Sequence, residues 1–129
     1  DALNEAIKHV EKKKEEELPV MIDALLSMDD VHEVTHKAIS ALAPFGAGNP
    51  RPLFSFGKIT PASIRWFGKK SEHLEVIYPK SSGTVKAIKF FAPKELAEKM
   101  KEDHTLLAHL EKSYFRGRGE LRLRIVDAL

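Results

Sequence analysis

Residues 85–112 read VKAIKFFAPKELAEKMKEDHTLLAHLEK, and the reading of this stretch decides the fold. Val85 to Phe91 is a β-like run with Ile88 and Phe90 expected inward. Pro93 then opens a helix, since proline fits the first turn, where its missing N–H leaves no bond unmade. Leu96, Ala97 and Met100 follow at helical spacing. Thr105 to Lys112 returns to a strand pattern. Toward the N-terminus lie a turn at Ser81-Ser82-Gly83 and a strand from His73 to Tyr78, whose Leu74, Val76 and Tyr78 share one face. Before them come a turn at Gly68-Lys69-Lys70-Ser71-Glu72 and a long strand over about Leu53 to Phe67. Toward the C-terminus a turn at Ser113 to Gly119 leads into Glu120 to Asp127. There Leu121, Leu123 and Ile125 alternate with Arg122 and Arg124, the pattern of a half-buried strand.

Three strands, one helix and two strands is the order of an OB-fold. The expected architecture is therefore mainly β: a five-stranded Greek-key barrel with one inserted helix, α+β overall once the short helices before it are included. Such barrels bind oligonucleotides with their strand 2 and 3 face and the loops after strands 1 and 4. In this sequence those two loops hold basic and aromatic residues together. The first brings Trp66 and Phe67 against Lys69 and Lys70; the second contains Tyr114, Phe115, Arg116 and Arg118. Cations can follow phosphates while aromatic rings and guanidinium planes stack on unpaired bases. Trp66 alternates with Ile64, so core packing and base stacking both stay open for it. Phe45, Phe54, Phe56 and Phe90 are assigned to packing.

Residues 1–43 form a helical lead-in and residues 44–129 the barrel domain. Ala2, Ala6, Ile7 and Val10 recur at helical spacing, and Leu18-Pro19 closes this first helix. A second helix starts at Pro19 and carries Ile22, Leu25 and Leu26. A third follows Asp29-Asp30 and runs through Val31, Val34, Ala38, Ile39 and Leu42 to Pro44. The turn-rich segment Pro44 to Pro52 then marks the boundary. Within the third helix, His32-Glu33-Val34-Thr35-His36 matches the H-E-x-x-H pattern of zinc peptidases. The expected apolar stripe at residues 31, 34, 38 and 42 turns this motif toward solvent, and no third ligand follows at the extended spacing. It is read as a surface segment, not as a zinc site.

The net charge of +2 divides unevenly: residues 1–43 hold 5 Lys/Arg and 10 Asp/Glu, net −5, and residues 44–129 hold 16 and 9, net +7. A basic barrel half is the electrostatic footprint of a polyanion partner, though solvated lysines give a modest positive balance too. The absence of cysteine excludes disulfides and thiolate metal sites and accords with a cytoplasmic setting. No apolar run nears the roughly 20 residues needed to span a bilayer. The chain opens on Asp1, already in helix-like sequence, as a piece of a longer protein does.

Leu42-x-Pro44-Phe45-Gly46-x-Gly48-Asn49-Pro50-x-Pro52-x-Phe54 resembles the segment that enters the OB domain of RecJ exonucleases. The likeness continues in order through Arg65-x-Phe67-Gly68, His73-Leu74, Ala87-Ile88-x-Phe90, Arg116-Gly117-Arg118 and Leu121-x-Leu123-x-Ile125-x-Asp127. Ser113 and Arg122 stand where relatives often carry asparagine and glutamine. Arg65, His73, Arg122 and Arg124 complete the candidate nucleic-acid contacts. The resemblance implies a 5′ to 3′ single-strand-specific DNA exonuclease of recombination and repair, whose Asp/His-rich core holds manganese or magnesium. That core has no counterpart here; the nearest trace of an Asp-His-His signature is Asp103-His104-Thr105. No catalytic residue, metal ligand or cofactor is therefore assigned to this chain. The expected partners are single-stranded DNA and the remainder of the exonuclease, without a membrane. A protein-interaction barrel is the alternative, and a self-standing hydrolase lacks any convergent acid, base or metal set.

Overall fold

The computed structural model describes residues 22–42 and 51–129, apart from residue 116 and the side chain of Phe115. The expected first helix and the Pro44–Pro50 segment with Phe45 lie outside them. Among the described residues are seven strands and two α-helices. In chain order these are β1 (Ala24–Leu25), α1 (Glu33–Ser40), β2 (Phe54–Ile59), β3 (Ser63–Phe67), β4 (His73–Lys80) and β5 (Gly83–Lys89). They are followed by α2 (Lys94–Met100), β6 (His104–Phe115) and β7 (Arg118–Ala128).

Seven strands replace the expected five for two reasons. The long first strand is broken: its register against β6 shifts between Phe56 and Ile59, and Lys58 takes a left-handed backbone, φ 43°. The chain bends there, as bulged strands do, passes Pro61, and resumes as β3 on a different partner, β4. The sheet order is β1-β2-β6-β7-β5-β4-β3, so β2 and β3, consecutive in the chain, lie at opposite ends of the six barrel strands. The bend between them is what wraps the sheet around. The seventh strand comes from the lead-in. Ala24–Leu25, expected in a helix with Ile22 and Leu26, instead pairs in parallel with Phe54–Ser55. Asp23 fastens this pairing, its N–H donating to Leu53 O and its carboxylate accepting from Leu53 N–H, both at 2.8 Å. A short apolar run does not distinguish helix from buried strand by itself; the free edge of β2 decides it.

The expected third lead-in helix is the shorter α1, preceded by a 3-10 turn at Met28–Asp30. Its inward stripe is Val31, Thr35 and Ile39, all buried, whereas Val34 is 74% exposed. The expected stripe at residues 31, 34, 38 and 42 is thus rotated. His32 is the N-cap of α1 with extended backbone, and its Nδ1 accepts the Thr35 N–H at 3.4 Å, while Glu33 pairs with Lys112 at 3.1 Å. Those two residues of the H-E-x-x-H string cap a helix and tie it to β6.

The core lies inside the barrel. Phe54, Phe56, Leu74, Val76, Tyr78, Leu106, Leu110, Leu123 and Ile125 are almost completely buried, and α2 plugs one end with Leu96, Ala97 and Met100. Ala24, Met28, Val31 and Ile39 of the lead-in belong to the same cluster. His104, in the Asp-His trace noted above, is core structure. Its Nδ1 lies 2.7 Å from Glu102 O and must carry the proton, so Nε2 accepts from the Tyr78 hydroxyl at 2.6 Å. Burial pushes the Tyr78 hydroxyl pKa up, which keeps it a donor.

Candidate nucleic-acid interface

Successive strand residues face opposite ways, so whatever alternates with the core forms the outer surface. Across β3, β4, β5, β7 and β6 the register aligns Arg65, Glu75, Ile88, Arg124 and His109 in one row, and Ser63, Ile77, Lys86, Arg122 and Glu111 in the next. A third row begins with Phe67 and His73 and continues at Phe90. Ile88 is buried, as expected, but beside Glu75 and Arg124 and not in the main core cluster, where Val85 and Ala87 stand; Phe90, expected inward, is half-buried on the outer face. Ala87 sits between Val76 and Leu123, both core residues.

Phe67, His73, Phe90 and Phe91 make an aromatic group at one end of this face. Ring centroids lie 5.3 Å apart for Phe67 and His73, 5.1 Å for His73 and Phe90, and 4.8 Å for His73 and Phe91. Two arginines cover the group: the Arg124 guanidinium lies 4.6 Å from the Phe90 centroid and that of Arg65 5.8 Å from Phe67. Both are held from the side by carboxylates. Arg65 is bidentate to Glu75, at 2.7 and 3.1 Å, which raises the Arg65 pKa. Arg124 is bidentate to Glu111, at 2.8 and 3.3 Å. Arg122 Nε also stands 3.3 Å from Glu111 Oε1, but at an angle that leaves its N–H without a hydrogen bond. Lys86 lies between Glu75 and Glu120, at 3.9 and 3.5 Å. The face is therefore a laced lattice of charge, less basic than its arginines imply.

The two loops stand at opposite ends of this face. The turn from β3 to β4 lies at the start of β4, whereas β5 and β7 run parallel with Lys86 beside Arg122, which puts the β6–β7 hairpin at the other end. The eight residues of β4 set the separation at about 26 Å. Lys69 and Lys70 are exposed in the first turn, with no acidic partner among the described residues. Gly68 shapes that turn at φ 99°, and a Cβ there would fall 2.7 Å from the His73 ring. At the other end Tyr114 is 71% exposed, with Lys112 Nζ 6.0 Å from its ring, and Arg118 is exposed. The side chains of Phe115 and Arg116 lie outside the described residues.

Trp66 turns away from this face, and Tyr114, opposite Gly119, shares the strand phase of buried Leu110 rather than that of Glu111 and Arg124. With Ile64, Trp66 packs against the core cluster, and its remaining surface lines grooves beside α2. Conversely Glu75, Lys86, Phe90, Phe91 and Glu111 belong to the face although sequence reading left them out. The signal for Phe90 was Lys86 and Phe90 sharing one strand phase, a mixed polar and aromatic pattern that suits an outer binding surface better than a core.

Among the described residues no three His, Asp or Glu side chains gather as a metal cluster, and no helix is long and apolar enough to cross a membrane. This strand order with a laced aromatic outer face defines an OB-fold barrel. Residues 22–127 match the RecJ OB domain, and the chain belongs to that family. Its fold is shared with RecJ of Thermus thermophilus, solved in complex with Mg2+ (TM-score 0.65, 23% identity) and in complex with Mn2+ (TM-score 0.67, 22% identity). These alignments take in 84% and 85% of this chain but 16% of each RecJ chain. Among curated proteins, none matches the sequence closely.

Proposed function

We propose that this barrel is a single-stranded DNA-binding module of a RecJ-like exonuclease and positions the strand for a catalytic core elsewhere in the protein. The observation that carries the reading is the outer face itself: an aromatic group capped by guanidinium planes, with Lys69 and Lys70 at one end and Arg118 at the other, none of them with an acidic partner among the described residues. Unpaired bases stack on such a surface with little sequence preference, and the flanking cations hold the phosphates. Membership of the RecJ OB family supports a whole protein that cuts single strands 5′ to 3′ in recombination and repair; a cytoplasmic setting is part of the same proposal. Divalent metal of that core, Mg2+ or Mn2+ as in the Thermus structures, would belong to other domains, and the chain by itself would not cleave DNA.

Salt-dependent binding of labelled oligo-dT tests this. With Lys69, Lys70, Arg116 and Arg118 each on a phosphate, log K should fall against log salt with a slope of about −2.8, at roughly −0.7 per contact. Changing Lys69 and Lys70 together to Ala should flatten it by about 1.4 while stability stays within about 0.5 kcal/mol. If neither the pair nor Arg116 and Arg118 alters DNA binding, and a protein partner is lost instead, the barrel is an interaction module.

A further inference from the structure

Phe91 is the least expected side chain of the molecule. It is 76% exposed and adopts φ 52°, a left-handed conformation that is an outlier for a bulky residue. Strain of this kind persists only where the surroundings impose it, and here they do so by two bonds. The Phe91 N–H donates to His73 Nδ1 at 3.1 Å, and the next N–H, of Ala92, donates to Glu72 O at 3.0 Å. Across from it Ser71, also left-handed at φ 52°, closes the β3–β4 turn by donating its N–H to Gly68 O at 3.1 Å. Between these two stapled segments runs an open groove of about 770 Å³, walled by Phe91 and Trp66, with Lys70, Lys94 and Glu72 along its edges.

We infer that this groove takes one unpaired nucleobase of the bound strand, stacked on Phe91, with the flanking phosphates at Lys70 and Lys94. The inference rests on the single-strand reading above and extends it past the laced rows to the groove at the Phe91 edge of the face. A stacking platform needs a flat ring held open to solvent, and the backbone here keeps one there against its own preference. Neither lysine has an acidic partner among the described residues, so both are available to phosphate. The Glu72 carboxylate already faces His73 Nε2 at 3.4 Å, which leaves its second oxygen to accept a base N–H.

Three measurements on the full 129-residue chain decide it. Phe91→Gly relieves the left-handed strain, so its melting temperature should not fall, yet oligo-dT affinity should drop by about 5- to 150-fold, the range of one lost stack. Phe91→Asn, which also tolerates this backbone, should do the same if the glycine variant folds poorly. An abasic site moved along the oligonucleotide should weaken wild-type binding at one position by a similar factor and add nothing to either variant there. Trp66 is the only tryptophan, and its emission should change on binding in the wild type and not in Phe91→Gly. Variants that bind like the wild type, or an abasic penalty that persists unchanged in them, would overturn the pocket while leaving salt-sensitive binding by the face intact. Failure of the wild type to bind oligo-dT at all would remove both readings.

Discussion

Two sets of basic side chains meet at the outer surface of this barrel, and they differ in company. Arg65, Arg122 and Arg124 rise from strands and lie against Glu75 and Glu111; Lys69 and Lys70 stand in a turn without such partners among the described residues. The difference is geometric. A strand residue has neighbours on both sides at distances fixed by the ladder, so a carboxylate one strand away is delivered within reach. A turn residue has no ladder, and its charge stays available. Arginines on the sheet therefore act as oriented planes over aromatic rings, whereas the turn lysines act as free charge.

The strongest way to break this contrast is Glu111→Ala, which removes the acceptor of Arg124 and the ion-pair partner of Arg122 at once. Stability should fall by about 1.5–3 kcal/mol, the range for hydrogen bonds to charged groups, as read by denaturant unfolding. Oligo-dT affinity should rise and its salt slope steepen by up to about 1.4, because two cations become free for phosphate. An affinity loss would mean that the locked planes matter more than the released charge. A smaller effect comes from Gly68→Ala. The left-handed backbone and the approach of the His73 ring set a cost of about 1–2 kcal/mol, and the turn lysines should lose their fixed position, weakening binding without changing the number of charges. Thermal melts paired with anisotropy titrations measure both effects.

The smallest effect concerns a turn that a carboxylate fastens. Asp29, from the lead-in, accepts the Ser81 N–H and the Ser81 hydroxyl, both at 2.7 Å, and these bonds hold its pKa below the ordinary 3.8. A depressed folded pKa adds stability above the unfolded value that is lost as pH falls through the folded one. Asp29→Asn should thus be slightly less stable than wild type near neutral pH, and the gap should close as pH drops below 3.8. A gap that stays constant down to strong acid would show that the carboxylate charge plays no part in fastening the lead-in.

Much of this was legible in the chain. Period-two alternation in Leu74-Val76-Tyr78 and Leu121-Leu123-Ile125, and Pro93 ahead of Leu96, Ala97 and Met100, fixed the strand, helix and strand order, because one-sided burial leaves a periodic trace. Lys69 and Lys70 marked the β3–β4 turn, whereas Tyr114, Phe115 and Arg118, expected in a loop, extend β6 and β7. Other features left no local trace. Ala24–Leu25 became a strand because an unpaired edge of β2 was waiting for it, Phe90 lay on the outer face because Val85 and Ala87 hold the inward phase of β5, and Arg65, Arg122 and Arg124 lost their free charge to carboxylates 10 to 13 residues away. Sequence periodicity records which residues share a face. Which face lies inward, and which charges cancel across it, are set by partners brought together only when the sheet closes.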